Sequence, residues 1–207
     1  MRTRTRTLSV AVAGAMLGYA LVALLAGGPG VVFGQDAGAV AAAQKASFKR
    51  PSFVPHPGNN SPTPEKIALG KRIFEDPALS ANARISCASC HDARLSFTDG
   101  EALGKGVSGK RLGRHSPTLW NVAFSPLLFW DGRASSLEDQ AKFPVSHPDE
   151  MGASLEAGAK LLSQDASYRD AFQHAFPDAN GRIDAELMAR AIAAYERTLI
   201  SPPTRFD

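Results

Sequence analysis

The chain has 207 residues, 44% hydrophobic and 21% charged, a balance that excludes disordered and coiled-coil classes and suits one domain with a real core. Its net charge of +3 comes entirely from Arg2, Arg4 and Arg6, since without them 20 basic residues face 20 acidic ones. No basic patch remains to argue for nucleic acid as a partner.

Those arginines open a positive N-terminal region, followed by an uncharged apolar run from Leu8 to Ala26 and a Gly27-Gly28-Pro29-Gly30 break. Residues 1–34 therefore read as a secretory signal cleaved near Gly34-Gln35. The run is also long enough to serve as an uncleaved membrane anchor. Either outcome delivers the remainder outside the cytoplasm, and a periplasmic location is expected. Residues 35–62 are rich in Ala, Gly and Pro and end in Pro55-His56-Pro57-Gly58, the composition of a linker or extended arm.

The domain proper is expected over residues 63–207. Thr63 is a fitting N-cap, with Pro64 at the first helical position and Glu65 in the first turn. Ile67, Gly70, Ile73 and Phe74 recur at helical spacing and give one buried face, and the helix ends before Pro77. Next comes Cys87-Ala88-Ser89-Cys90-His91. Two thiols three positions apart with a histidine directly after them form the pattern of covalent haem attachment. Each thiol adds across a haem vinyl group, and His91 takes an axial position on the iron. A thioredoxin-type pair would need a βαβ surround, and a zinc site would need more soft ligands than this chain has. A short helix capped by Ser86 should carry the motif.

Residues 92–133 are rich in glycine and turn signals, and so long an irregular stretch belongs to a functional region. A haem would account for it by acting as the core on which loops pack. Helical patterns return at Ser135–Phe143, Ser154–Ser163, Ala166–Phe176 and Asp184–Ile200, the last with Leu187, Ala191, Ile192, Tyr195 and Leu199 on one stripe. No sustained alternation of period two is present. The expected fold is all-α, a cytochrome c-like haem domain with extended irregular loops.

From Leu69 onwards the chain also resembles a known family. Leu69-Gly70-Lys71-Arg72-Ile73-Phe74-Glu75-Asp76-Pro77 and the haem motif are similar to the N-terminal, peroxidatic domain of bacterial di-haem cytochrome c peroxidases, a family that includes the methylamine dehydrogenase maturation enzyme. The likeness continues through Phe97-Thr98-Asp99-Gly100, Ser116-Pro117-Thr118-Leu119, Phe129-Trp130-Asp131-Gly132-Arg133 and Glu196-Arg197-Thr198-Leu199. It implies a haem-dependent peroxidase, reducing hydrogen peroxide with electrons from a small donor protein such as a cytochrome c or a cupredoxin. By the same likeness His91 is the proximal iron ligand, Glu150 and Gln140 line the open face of the haem, Pro144 belongs to the distal pocket, and Trp130 relays electrons between two haems. A carboxylate above the iron suits the chemistry, because peroxide must lose a proton from one oxygen and regain it on the other.

The chain departs from the family in three places. Only one haem motif is present, so a second haem domain or subunit is the expected partner. The loop Gly104-Lys105-Gly106-Val107-Ser108-Gly109 lacks the histidine that occupies the sixth iron site in many relatives, which predicts an accessible, high-spin ferric haem unless His115, His147 or Met151 caps the iron. His115 also stands where the family's residue helps a calcium site, which weakens the expectation of calcium. The competing reading is a mono-haem electron carrier with Met151 or a histidine as sixth ligand. Oxidation of a partner protein's side chains ranks third, since it relies on two coupled haems.

Overall fold

The computed structural model describes residues 37–47 and 49–205. The stretch read as a signal, residues 1–34, lies outside the described residues. Among those described, no helix is long and apolar enough to cross a membrane. The chain divides into two units, Met1–Arg50 and Pro51–Asp207.

The first unit contains helix α1, Ala37–Ser47, within the stretch read as a linker. Its sequence is dominated by alanine, the strongest helix former. The second unit begins at Pro51, ahead of the Thr63 boundary expected from helix signals. Its arm is fastened to the body: Arg197 Nε donates to the Pro55 carbonyl at 3.2 Å, and Asn60, 1% exposed, donates to Glu138 and to the Arg190 carbonyl.

Helix α2 spans Pro64–Glu75, with the Thr63 hydroxyl accepting from the Lys66 N–H. It buries Leu69, Gly70, Ile73 and Phe74; Leu69 takes the inward position expected of Ile67, which is half-buried. Helix α3, Cys87–Cys90, is one turn, closed by the Ser86 N–H donating to Ser89 Oγ at 3.0 Å. The helix expected over Ser135–Phe143 is two pieces, α4 (Leu137–Gln140) and α5 (Lys142–Ser146). Pro144 has no N–H for the Gln140 carbonyl, so the α-ladder breaks at that step.

Helices α6 (Leu155–Gln164), α7 (Ala166–Ala175) and α8 (Ala185–Glu196) follow, capped by the side chains of Ser154, Asp165 and Asp184. Helix α8 stops short of Ile200: the Thr198 N–H and Leu199 N–H turn back to the Tyr195 and Glu196 carbonyls in a tighter winding. Helix α8 crosses α2 at Gly70, where a Cβ would stand 1.8 Å from the Ala191 carbonyl oxygen. Only glycine allows that approach. Phe74 and Tyr195 meet edge-on beside it, ring centroids 5.2 Å apart, and α6 and α7 add Leu155, Leu162, Tyr168 and Phe172 to the same core. Residues 92–134 contain two short 3₁₀ turns and isolated bridges at Asp92–Thr98, Lys105–Arg111 and Leu128–Ala134; no strand occurs among the described residues.

Candidate functional site

Helix α3 brings Cys87, Cys90 and His91 to the wall of a cavity of about 760 Å³. The His91 N–H closes the helix on the Cys87 carbonyl at 2.9 Å. Its ring Nδ1 lies 3.0 Å from the Phe97 carbonyl oxygen and donates to it, which leaves Nε2 free as a ligand. That carbonyl is aimed by two successive left-handed residues, Ser96 (φ 59°) and Phe97 (φ 57°). Such a conformation is costly for non-glycine residues and persists only where the surroundings enforce it. Burial lowers the His91 pKa, against the opposing hydrogen bonds to Phe97 and Pro117, and favours the neutral imidazole that binds metals. Burial, with Glu196 next in effect, pushes the Cys87 thiol up to about 12, and burial raises Cys90 as well.

The residues expected on the open face come to this same cavity. Gln140 at the end of α4, Phe143 and Pro144 in α5, and Glu150 and Met151 in the following turn all line it. The turn is tightly specified: the Glu150 N–H donates to the His147 carbonyl at 3.0 Å, and the Glu150 carbonyl accepts from the Val107 N–H at 2.7 Å. The loop at 106 can approach because Gly106 has no side chain; a Cβ there would lie 1.5 Å from the Asp149 carbonyl oxygen. Met151 also belongs to the main core, 4% exposed, with its N–H on the Pro144 carbonyl.

The two extra histidines differ in what they offer. His147 Nδ1 accepts from the Asp149 N–H at 3.2 Å, so a neutral ring carries its proton on Nε2 and has no free lone pair there for a metal. His115 Nδ1 pairs with the Glu101 carbonyl at 2.7 Å and leaves its Nε2 bare. The His115 carbonyl in turn accepts from the Trp130 indole N–H at 3.0 Å. Trp130 is 62% exposed yet also lines the cavity, so one flat ring joins the interior to the outer surface. Beside it the Arg133 guanidinium lies 3.5 Å over the Phe129 ring, and Phe129 meets Phe143 edge-on.

Sequence reasoning missed the acid on the helical side of the cavity. Glu196 lines it and is buried, and its Oε2 has no hydrogen-bond partner. Burial pushes this carboxyl up to about 8, despite Arg197 and aided by Glu138. The signal was present as an acid four residues after Ile192, on the apolar stripe of α8. Its neighbour Arg197 is committed elsewhere, gripping Glu138 through Nη1–Oε1 at 2.6 Å and Nη2–Oε2 at 2.9 Å. Burial works against ionisation of Glu138, but Arg197 and Asn60 prevail and hold it below the usual carboxylate range.

Two thiols, a neutral imidazole with a free nitrogen and an orphaned buried acid on one cavity fit a covalently tethered haem. The apolar remainder of the wall, with Phe74, Ile85, Phe129 and Ile192, suits a porphyrin face. A helical domain with such a motif on its cavity wall is a c-type haem domain. The chain belongs to the di-haem cytochrome c peroxidase family, which it matches over residues 64–207.

It is 42% identical over 166 residues to the methylamine utilization protein MauG of Methylorubrum extorquens, covering 80% of this chain and 47% of that protein. Against the cytochrome c551 peroxidase of Pseudomonas aeruginosa it is 39% identical, covering 67% of this chain and 40% of that one. Among solved structures, a MauG-like protein associated with microbial copper homeostasis superposes with a TM-score of 0.67 at 33% identity, over 74% of this chain and 47% of the other. The chain thus spans less than half the length of these relatives.

Proposed function

We propose that residues 51–207 are the peroxide-reacting half of a haem peroxidase, holding one haem c through Cys87, Cys90 and His91. The reaction is the reduction of hydrogen peroxide by two electrons and two protons to two molecules of water. The observation that carries this reading is the gathering of Gln140, Pro144 and Glu150 on the same cavity as the haem motif, although they lie far from it in sequence.

When bound, the haem supplies the peroxide-binding site and the redox chemistry. Glu150 accepts the proton from the incoming peroxide and returns it to the departing oxygen, a transfer worth about 10²- to 10⁴-fold in rate. The Gln140 amide holds peroxide or water in position without adding charge. Pro144 contributes an apolar ring to the wall. Trp130, reaching from cavity to surface, is the entry point for electrons from a second haem domain or subunit, or directly from a small cytochrome c or cupredoxin. The peroxidases among the relatives support this reading over the electron carrier, and the N-terminal pattern supports a periplasmic location. Calcium is not required by it.

The test is Glu150→Ala. It should slow peroxide-driven oxidation of an electron donor by about 100-fold or more while leaving haem content unchanged. Equal rates in variant and parent would remove Glu150 from the mechanism. Electron paramagnetic resonance of the ferric protein should show a high-spin signal. A purely low-spin one would mean that Met151 or His115 caps the iron and that the carrier reading holds.

A further inference from the structure

Helix α8 delivers Glu196 to the cavity from its buried stripe, one turn beyond Ile192, and leaves it 5% exposed with Oε2 unpartnered. A buried polar atom without a partner is rare, because it forfeits its hydration and receives nothing in return. Two facts keep the protein from supplying that partner. Arg197, the adjacent cation, has two hydrogen bonds to Glu138 and a third to the Pro55 carbonyl. Glu138 itself brings a like charge towards Glu196. Glu196 itself lines the cavity, with Oε2 set back out of reach of water.

We propose, resting on the haem-domain reading above, that Glu196 is a positioning residue that couples the redox state of this pocket to a proton. With the pocket oxidised, the ionised carboxylate of Glu196 offsets the positive charge of the ferric centre. As the pocket receives one electron from a reductant, Glu196 takes up one proton from solvent and becomes a neutral acid; reoxidation releases both. The electron and the proton balance, so the net charge of the buried site is the same before and after. Charge conservation of this kind matters because an uncompensated charge in an apolar interior is expensive.

Other groups that face Glu196 are accounted for. Arg197 and Glu138 are locked in their ion pair. Cys87 on α3 loses its titratable proton once it becomes a thioether. The Tyr195 hydroxyl is raised by burial first, then by Glu75 of α2 and by Glu196, and so stays protonated. Glu150, Asp149, His115 and His147 stand on the same cavity wall.

The experiment is a redox titration of the haem-loaded full chain from about pH 6 to 9, a window centred near the value of about 8 for Glu196. The parent's midpoint potential should fall with rising pH, approaching about 59 mV per pH unit for one proton per electron. Glu196→Gln, which keeps shape and polarity but cannot ionise, should flatten that slope, whereas Glu150→Gln should retain it. A parental slope in Glu196→Gln, or no slope in the parent, overturns the proposal. Should Glu196→Gln fail to hold haem, redox-difference infrared spectra of the parent in H₂O and D₂O decide. A protonated carboxylic carbonyl band that appears on reduction and shifts in D₂O supports the coupling, and its absence overturns it. A colourless parent would bring down the haem-domain reading itself, while a coloured parent with a flat titration removes only this proposal.

Discussion

Around the crossing of α2 and α8, Leu69, Ile73, Phe74, Met188 and Ile192 are all buried by one another and by α6 and α7. Along residues 92–134 the buried apolar side chains are Phe97, Leu119, Leu128 and Ala134, while Leu95, Leu103, Leu127 and Trp130 face outwards. That second region also holds Ser96, Phe97, Asn121 and Phe129 in left-handed backbone conformations, with isolated bridges in place of a ladder. One half of the domain makes its own core. The other half arranges carbonyls and rings around the cavity, whose apolar wall a haem would fill. The helical crossing therefore carries the stability, while the loops help to frame the site.

The hardest blow to the helical half is Arg197→Ala. It leaves Glu138 buried without its partner and should cost about 3–5 kcal/mol, measured by denaturant unfolding of the haem-loaded protein. A loss near zero would mean that the pair is dispensable and that the apolar contacts carry the crossing alone.

A matched pair of glycine substitutions sharpens the comparison. Gly70→Ala forces a methyl against the Ala191 carbonyl between two packed helices, and overpacking there should cost about 1–3 kcal/mol or more. Gly106→Ala makes an even closer collision, with the Asp149 carbonyl, in the tightly bonded turn that holds Glu150. Its stability cost should be of the same order, about 1–3 kcal/mol. The displaced Glu150 turn should in addition lower peroxide turnover on the order of tenfold, because misplacing a reacting group costs rate. Equal turnover losses in the two variants would erase the distinction between the regions.

The helical half was largely legible in the sequence because its signals are local. Thr63 caps the helix it was expected to cap, helices open next to Ser154 and Asp184 where the patterns began, and the stripe on α8 is buried apart from half-buried Tyr195. Cys87, Cys90 and His91 were legible for the same reason, their chemistry being written in five consecutive residues. The break at Ala141 was less so, since it depends on a proline three positions ahead. Gln140 and Glu150 carry no local pattern of their own; only the resemblance to a family pointed to them, and only the fold brings them to the cavity. Glu196 was hidden by its neighbour. An acid beside an arginine reads as a surface pair, whereas here the arginine turns to Glu138 and leaves the acid alone.

The Asn60 contact has a consequence for where the protein can be cut. A chain shortened to start at Thr63 would keep every helix from α2 onwards and would lose Asn60 and the Pro55 carbonyl, which now cover the Glu138–Arg197 pair. Water would reach that pair, and the α4 end of the cavity with Gln140 would loosen. A piece that begins at Pro51 keeps both contacts. Proteolysis of the two shortened forms should show the longer one resistant and the shorter one nicked near α4, and equal resistance would reduce the arm to a mere tether.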